Sequence, residues 1–307
     1  MELMISTDDS ATQSPETTQQ AGYSVVAFAY NEERTIGATL SSILKNADSQ
    51  LKHIAVIANG CTDHTYQIAK AVLEQQSPCS FEVVTLALGD KCNAWNQYVY
   101  QYLPECAVHF FVDSDVTFTE QAFGKLFQQL QTSERIAVTG LPQSGRNLAQ
   151  YTELATRYSC MFGNLYGLKH DFLVRLKQKH IRLPAGLSWI DSQLTKLINH
   201  NLSADKSEYT HQVTFLEGVG FTFDSLKPWR RHDIRLYLNR ITRYKVGQLQ
   251  ERYLDPLPFV AWPATMNDIN ASILEQDLTL KNLGKMVIFL PKIKQRLAKN
   301  VQLKNEA

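Results

Sequence analysis

Several features that would place this 307-residue chain in a specialised class are missing from it. No apolar stretch reaches the roughly 18 to 20 residues that a membrane-spanning helix needs, and the first residues lack the basic-then-apolar order of a signal peptide. The charges nearly cancel, since 31 Lys and Arg residues stand against 30 Asp and Glu residues, which argues against nucleic acid as a partner. The five cysteines match neither a zinc pattern nor a disulfide framework, so a cytoplasmic protein is expected.

What the sequence does contain is a repeated strand-then-helix pattern, which begins after a polar leader. Residues 1–21 are rich in Ser, Thr, Gln and acids, and they predict a disordered segment. Beyond them, apolar runs of strand length alternate with segments of helical periodicity. Strands are predicted at 23–29, 53–58, 81–87 and 108–112, and helices at 34–45, 62–76, 91–102 and 119–131. This alternation predicts an α/β fold with a mostly parallel sheet flanked by helices on both faces.

Polar segments follow each predicted strand, and ligands of such sheets bind beyond the carboxyl ends of the strands. These segments are residues 30–33, 59–63, 89–91 and 113–115. In the last of them Asp113 and Asp115 are one residue apart, so on an extended chain both carboxylates point to the same side and can converge on one hard cation. Each segment alone also fits a turn or a helix cap. Their combination predicts a site for a nucleotide diphosphate and its metal.

In the order and spacing of these motifs the chain resembles the family 2 glycosyltransferases, which use the GT-A fold, a Rossmann-like sheet that binds a nucleotide-sugar. The resemblance implies a GT-A catalytic domain at 22–225, with a nucleotide-binding half at 22–118 and an acceptor-binding half at 119–225. Residues 226–307 are expected to form a largely helical C-terminal extension. In this family the two aspartates hold Mg²⁺ or Mn²⁺ on the donor diphosphate. The resemblance therefore implies Asp115 as a metal ligand, and Asp113 as a partner of the metal and of the ribose.

The same resemblance implies a set of donor-binding residues, which comprises Tyr30, Glu32, Asn59, Lys91, Asp113 and Ser114. Family members read the nucleotide base with a carboxylate after the second strand, where this chain has Asn59. Because an amide both donates and accepts hydrogen bonds, Asn59 is expected to read uracil, and a UDP-sugar is favoured as donor. Lys91 is expected near the base or the diphosphate.

A base that takes the proton of the acceptor hydroxyl is also needed, and Asp191 is the candidate. Inverting members of the fold place an acid at the start of a helix beyond the metal motif, usually as a Glu-Asp pair, of which only the Asp is present here. A helix start stabilises the ionised carboxylate, although an acid at this position also occurs without any chemistry. The expected enzyme is an inverting, hexosyltransferase-type protein of cell-envelope polysaccharide synthesis, with a glycan, a lipid-linked molecule or a small molecule as acceptor.

The C-terminal part adds two weaker patterns. Arg240 and Arg243 lie on one face of a predicted helix, where they would bind a diphosphate or an anionic acceptor, or else form a solvated basic face. Residues 285–307 combine a short apolar run with a series of basic residues. This segment is expected either to touch an anionic membrane surface from the cytoplasmic side or to dock on the core as a last helix.

Two other functions fit parts of the same sequence. Residues 113–117 also spell the Asp-x-Asp-x-Thr motif of haloacid dehalogenase-type phosphohydrolases, in which Asp113 would attack phosphorus. That nucleophile normally follows the first strand of its domain, whereas three strand-plus-helix units precede it here. The second alternative is a GT-A-like protein that binds nucleotide without turnover, which the missing acid at Asn59 and the lone Asp191 permit.

Overall fold

The computed structural model describes residues 22–145, 147–203, 205, 207–223 and 229–301, so the leader predicted at 1–21 lies outside the described residues. The predicted alternation of strands and helices is present in the first half of the chain. Its elements are β1 (Tyr23–Ala29), α1 (Ile36–Asn46), β2 (Leu51–Asn59), α2 (Thr65–Gln76), β3 (Ser80–Leu86), α3 (Lys91–Gln97), β4 (Val108–Asp113), β5 (Thr117–Phe118) and α4 (Ala122–Gln131).

All four of these helices are shorter than the sequence pattern predicted. Helix α1 begins at Ile36 instead of residue 34, and α2 begins at Thr65 instead of residue 62. Helix α3 ends at Gln97, and the chain continues as a π-helical turn over Tyr98–Tyr102. Helix α4 begins at Ala122 instead of residue 119, because Thr117 and Phe118 form a short strand that pairs with Thr222 and Phe221. Long-range strand pairing has therefore overridden the local helical pattern at this position.

The second half of the chain contributes three more strands and all of the C-terminal helices. They are β6 (Ala137–Pro142), α5 (Leu148–Tyr158), β7 (Leu165–Lys169), α6 (His170–Gln178), α7 (Ile190–Asn199), β8 (Val213–Thr222), α8 (Arg231–Leu254), α9 (Asn267–Ser272), α10 (Leu280–Leu283) and α11 (Leu290–Val301). Short 3₁₀ or π turns at Phe259–Ala261, Ile273–Asp277 and Gly284–Phe289 join the last helices. The C-terminal region is helical, as the sequence predicted.

All eight strands belong to one sheet, with the order β3-β2-β1-β4-β7-β6-β8-β5. Strands β3, β2, β1 and β4 pair in this order and are parallel to one another, which is the arrangement that the four strand-plus-helix units predicted. Strand β7 runs antiparallel to both β4 and β6. The sheet is therefore mixed, with its parallel part on the nucleotide-binding side predicted from the sequence.

Strand β1 shows why its sequence is apolar throughout. Its side chains alternate between two buried clusters on opposite faces of the sheet, with Val26 and Phe28 in one cluster and Val25 and Ala27 in the other. Every residue of the strand is buried. A strand that is covered by helices on both faces needs a continuous apolar run, because neither face meets water.

The C-terminal helices pack together around a third buried cluster, which includes Val246 and Leu249 of α8 and Ile293 and Leu297 of α11. The apolar run predicted at the start of the 285–307 segment contributes to this cluster, since Met286, Val287, Phe289 and Leu290 pack against it. Residues 285–298 are thus docked on neighbouring helices, which was one of the two expectations for this segment. Residues 302–307 lie outside the described part of the chain.

No helix among the described residues is both long and apolar enough to cross a lipid bilayer.

Candidate active site

The carboxyl ends of the parallel strands bring the sequence motifs to one edge of the sheet. In the strand register Phe28 lies beside Asp113, and Ala29 lies beside Ala58. The loops after β1 and β2 are tied together by hydrogen bonds between backbone N–H groups and side chains. The N–H of Glu32 donates to Thr65 Oγ1 at 2.8 Å, and the N–H of Thr62 donates to Asn31 Oδ1 at 2.8 Å. Both polar loops are therefore held in place next to the end of β4.

Asp113 is the last residue of β4, and Ser114 and Asp115 form the turn that follows it. Ser114 is buried, and its Oγ donates to the carbonyl of Phe28 at 2.9 Å. Its side chain therefore fastens the end of β4 to β1, which leaves only its backbone for contact with a ligand. Asp113 forms an ion pair with Lys91 and accepts a hydrogen bond from Asn164 Nδ2 at 3.1 Å. The sequence had not indicated a role for Asn164.

Burial, and then the nearby charge of Asp113, raises the pKa of Asp115 above its usual range. The pKa of Glu32 is raised as well, first by burial and then by the charges of Asp115 and Asp113. Repulsion of this kind between neighbouring carboxylates is relieved by a bound cation. The donor set of hard carboxylate oxygens at this edge thus fits a divalent metal ion such as Mg²⁺ or Mn²⁺.

Lys91 begins helix α3, and Asp90 fixes the start of that helix. Asp90 Oδ1 accepts from the N–H of Asn93 at 2.8 Å, as a helix N-cap does. Burial by itself lowers the pKa of Lys91, but the charges of Asp113 and Asp191 outweigh this effect, so the pKa is raised. Lys91 therefore remains a cation between the metal motif and the candidate base.

Asp191 lies in the first turn of helix α7, as the sequence predicted. Its carboxylate lies against Gly163, where a Cβ atom would collide with both of its oxygens. Burial raises the pKa of Asp191, an effect that the charge of Lys91 partly offsets. A base with a raised pKa is a stronger proton acceptor. Gly163 and Asn164 together place one loop against both Asp191 and Asp113.

Aromatic and basic side chains of α5, α8 and the start of α7 lie in the neighbourhood of Asp191. The rings of Trp189 and Tyr244 are 5.6 Å apart. Burial raises the pKa of the Tyr151 hydroxyl on α5, and the nearby charges of Arg240 and Asp191 influence this pKa as well. Aromatic faces next to a polar centre suit the binding of a sugar ring, which has apolar and hydroxyl-bearing sides.

Helix α8 holds the segment that leads into α7. The fully buried side chain of Gln250 accepts from the N–H of Ser188 at 2.8 Å and donates to the carbonyl of Gly186 at 3.0 Å. The N–H of Gly186 donates in turn to Asp90 Oδ2 at 2.8 Å. Both backbone groups of Gly186 are thus bound by side chains, one from the start of α3 and one from α8. The C-terminal helices are part of the support of Asp191.

Glu251, the residue after Gln250 on α8, contacts helix α7 itself. Glu251 Oε1 accepts from Gln193 Nε2 at 2.9 Å, and it also accepts a hydrogen bond from Ser192 Oγ. Lys196 Nζ lies 3.4 Å from Glu251 and 2.6 Å from Asp255. Close packing adds to this, since a Cβ atom on Gly247 of α8 would collide with Trp189.

Tyr30 and Asn59, the remaining predicted donor residues, differ in exposure. The side chain of Tyr30 is 50% exposed and lies beside Gly89. Asn59 is only 4% exposed, and its Nδ2 donates to the carbonyl of Ala29 at 2.7 Å. The amide nitrogen of Asn59 is therefore engaged by β1, and its carbonyl oxygen is the atom left for a nucleotide base. Arg240 and Arg243 are exposed on α8, and their charges act on Asp115 and Asp191 respectively.

Within the described ranges, no group of three or more His, Cys, Asp or Glu side chains is arranged to hold a metal ion. Mg²⁺ that is shared with the phosphates of a substrate is usually held by only one or two protein carboxylates. Asp113 and Asp115 therefore offer enough protein ligands for a metal of this kind.

The mixed sheet with its parallel half, the helices on both faces and the polar carboxyl edge define a glycosyltransferase fold of the GT-A type. The family model of glycosyl transferase family 2 matches residues 24–186, which is more than half of the chain. The chain belongs to glycosyltransferase family 2. The matched region contains the polar segments after β1, β2 and β4 and ends at Gly186, the residue that Asp90 and Gln250 hold.

Solved structures with the same fold extend over nearly the whole chain. A mannosyltransferase from Pyrobaculum calidifontis, in complex with GDP-Man and Mn²⁺, is 15% identical with a TM-score of 0.60, over 94% of this chain and 88% of that one. Residues 1–349 of TarS from S. aureus, in complex with UDP, are 17% identical with a TM-score of 0.54, over 93% of this chain and 81% of that one. At these identities the likeness concerns the fold. No curated protein matches the chain in sequence.

Proposed function

We propose that the protein is a metal-dependent, inverting glycosyltransferase that transfers a sugar from a nucleotide-sugar to a hydroxyl group. The observation that carries this proposal is the position of Lys91 between the two acidic centres. Lys91 pairs with Asp113 of the metal motif, and its charge also acts on the candidate base Asp191. A donor diphosphate and an acceptor hydroxyl would therefore meet around this lysine.

The donor would lie along the carboxyl edge of β1, β2 and β4. Tyr30 is exposed enough to contact the nucleoside, and the free carbonyl oxygen of Asn59 suits the N–H group of a uracil ring. Glu32, Asp113 and the backbone of Ser114 line the same edge, where Asp113 would bind the ribose. These features favour a UDP-sugar, although the solved neighbours include complexes with both GDP-Man and UDP.

Asp115 and Asp113 are the residues that would hold Mg²⁺ or Mn²⁺. When bound, the cation neutralises negative charge on the departing nucleoside diphosphate, a Lewis-acid contribution of several kcal/mol in enzymes of this kind. Asp115 is suited to this role because its carboxylate is buried beside a second carboxylate, where a bound cation offsets the repulsion. Lys91 supplies a further positive charge at the same place.

Asp191 would act as the general base. Its carboxylate takes the proton of the acceptor hydroxyl as the oxygen forms a bond to the anomeric carbon, and the bond from that carbon to the diphosphate oxygen breaks on the opposite face. The nucleoside diphosphate leaves with the electron pair of that bond. A single displacement of this kind inverts the configuration of the anomeric carbon.

The acceptor would enter from the side of α5 and α8, where Tyr151, Trp189 and Tyr244 surround Asp191. We propose that the chain consists of a nucleotide-binding half at 22–118, an acceptor-binding half at 119–225 and a C-terminal extension at 226–307. Under this division, Arg240 and Arg243 of the extension would contribute to the acceptor-binding half. A hexose donor and a glycan or lipid-linked acceptor of cell-envelope synthesis are part of the same proposal.

We also propose a cytoplasmic location, with peripheral contact to the inner face of a membrane through residues 285–307. In the part of this segment that the structure describes, most apolar residues are packed against other helices, while Ile288, Lys285 and Lys294 are exposed. Flotation with anionic and neutral vesicles tests it. Binding to anionic vesicles that disappears after Lys285, Lys292 and Lys294 are changed to Gln supports contact, and no binding by the full chain removes it.

Release of nucleoside diphosphate from UDP-glucose, UDP-GlcNAc and GDP-mannose, with Mn²⁺, with Mg²⁺ and with a chelator, tests the proposed function. We expect metal-dependent turnover of one donor by the wild type, and its loss in Asp115→Asn. The matched control is Asp171→Asn, which neutralises an exposed aspartate on α6. NMR of the product should show an inverted anomeric centre. A retained configuration contradicts the role given to Asp191, and release of phosphate from simple monoesters without sugar transfer favours the phosphohydrolase alternative.

A further inference from the structure

The segment between α6 and α7 is held in place by side chains of helix α3 and of the π-helical turn that continues it. Residues 181–188, all of which the structure describes, contain one isolated β-bridge, at Ala185, and otherwise neither helix nor strand. Most of these residues are buried. The backbone N–H and C=O groups of a buried irregular segment need partners, because they are removed from water. Side chains of α3 supply several of these partners.

Asn96 makes the most complete of these contacts. Its buried side chain accepts from the N–H of Leu183 through Oδ1 at 3.0 Å, and it donates to the carbonyl of Leu183 through Nδ2 at 2.8 Å. One amide thus binds both backbone groups of one residue, as a neighbouring β-strand would do. Because Leu183 is buried as well, removal of the amide would leave both groups without a partner.

Two further side chains contact the same segment, one four residues before Asn96 and one four residues after it, as neighbours on one helix face do. Cys92 Sγ lies 3.8 Å from the carbonyl oxygen of Leu187, and the hydroxyl of Tyr100 donates to the carbonyl of Ile181 at 2.7 Å. The order of these contacts shows that the segment runs antiparallel to α3. It is therefore fixed to one face of this helix.

Helix α3 connects the two acidic centres of the site. Its first residue, Lys91, forms the ion pair with Asp113 of the metal motif. Asp90, which caps the helix, accepts from the N–H of Gly186 at 2.8 Å. The segment that α3 holds leads into α7, whose first turn carries Asp191. One short helix thus fixes both the metal motif and the candidate base.

A second set of contacts joins the same two aspartates without α3. Asn164 Nδ2 donates to Asp113 Oδ2 at 3.1 Å, and the preceding residue, Gly163, lies against the Asp191 carboxylate. Since this second connection remains when a contact of α3 is removed, a substitution on α3 is expected to shift Asp191 without unfolding the site.

We propose that Asn96 is a positioning residue, which fixes Asp191 relative to Lys91 and to the donor. Asn96 acts through Leu183 and the segment that leads into α7, and not through contact with a substrate. A displacement of a catalytic group by about 1 Å can cost on the order of 100-fold in rate. This inference rests on the proposed function for the role of Asp191, whereas the hold of Asn96 on the segment does not depend on it.

The first test compares the sugar-transfer kinetics of Asn96→Leu with those of the wild type. Leucine is close in size to asparagine but makes neither hydrogen bond, so we expect kcat to fall about 100-fold while the donor KM stays close to that of the wild type. The matched control is Asn282→Leu on α10. The Asn282 amide is also bound at both ends, by Arg252 at 2.8 Å and by the carbonyl of Asp277 at 3.0 Å, and its loss should leave kcat unchanged.

The second test needs no sugar transfer and measures backbone hydrogen exchange of the full chain by mass spectrometry. In Asn96→Leu, peptides that cover residues 181–191 should exchange faster than in the wild type, because Leu183 loses its partner and the segment opens more often. Peptides of β1 should keep the wild-type rate, which shows that the variant is folded. Asn282→Leu should exchange as the wild type does over residues 181–191.

The proposal is overturned if Asn96→Leu keeps the kcat of the control, or if its donor KM rises as much as its kcat falls, which indicates a general loss of structure. Unchanged exchange over residues 181–191 overturns it too. An inactive wild type counts against the proposed function, and the exchange measurement then still decides whether Asn96 holds the segment. The two failures are therefore distinguishable.

Discussion

Replacement of Gln250 by leucine is expected to loosen the segment that leads into the proposed base. In the wild type this fully buried side chain makes three hydrogen bonds, to Ser188 N–H at 2.8 Å, to the carbonyl of Gly186 at 3.0 Å and to Asn270 Oδ1 at 2.8 Å. At about 1 kcal/mol for each net hydrogen bond, their loss lowers the free energy of unfolding by about 3 kcal/mol, and the buried backbone groups left without a partner add to this.

The same change should lower turnover more than donor binding. The segment held by Gln250 ends at helix α7, whose first turn carries Asp191, whereas Asn59 and Asp113 are the last residues of β2 and β4 and Tyr30 directly follows β1. A displacement of a catalytic group by about 1 Å can cost on the order of 100-fold in rate. We therefore expect a fall in kcat of about that size in Gln250→Leu, with a donor KM close to that of the wild type.

Urea unfolding and steady-state kinetics measure the two effects, with Gln248→Leu as the matched control. Gln248 is exposed on the same helix, and its side chain makes one long hydrogen bond, with Lys245 at 3.5 Å. The control should keep the wild-type stability and rate. If Gln250→Leu is as stable and as active as Gln248→Leu, the hydrogen bonds of Gln250 do not position the segment, and this reasoning is refuted.

Three further predictions concern single residues. Asp191→Asn should bind donor normally yet lose about 10²- to 10⁴-fold in kcat, the usual contribution of a general base. Wild-type kcat/KM should fall as the pH drops through a pKa that lies above the usual range of an aspartate, because burial raises the pKa of Asp191. Gly163→Ala should lower kcat because the new methyl group collides with the Asp191 carboxylate, while Gly37→Ala, which makes only ordinary contacts, should not. Burial lowers the pKa of His109 to about 3, so the unfolded chain gains a proton below about pH 6.5 that the folded protein does not. The free energy of unfolding, measured with urea, should therefore fall by about 2 kcal/mol when the pH is lowered from roughly 7.5 to 5, and this fall should be absent in His109→Phe. An equal dependence of the free energy of unfolding on pH in the two proteins would contradict this.

The parallel half of the fold could be predicted from the sequence because it consists of local units. Each apolar run and the helix after it form one unit, and repetition of the unit predicts parallel neighbours. The strand predicted at 23–29 is the observed β1, and the strand predicted at 108–112 is the observed β4, which ends at Asp113 of the metal motif. Parallel strands also bring the polar segments that follow them to one edge of the sheet, so the position of these motifs could be predicted as well.

The other half depends on contacts between distant parts of the chain, which no local pattern reveals. Strand β7 returns antiparallel beside β4, and only this pairing brings Gly163 and Asn164 to Asp191 and Asp113. A glycine followed by an asparagine has the composition of an ordinary turn.

The support of the candidate base also escaped the sequence pattern. Gln250 lies within a helix that shows no clear separation of apolar and polar faces, and a single glutamine there suggests an exposed position. Its burial follows from the packing of α8 on the segment around Gly186 and Trp189, which removes it from water and gives both ends of its amide a partner. Asp90, in contrast, was visible as part of a motif, but only the fold shows that it binds Gly186.

Calorimetric binding of UDP and GDP in the presence and absence of Mn²⁺ tests the central claim most directly, namely that the carboxyl edge of the sheet is a metal-dependent nucleotide site. We expect one nucleotide to bind only with Mn²⁺, and Asp115→Asn to weaken this binding by at least the roughly 10- to 100-fold that loss of a supporting residue costs a metal site. Asp171→Asn should bind as the wild type does. Binding of neither nucleotide by the wild type, or equal binding without metal and in Asp115→Asn, would contradict the account.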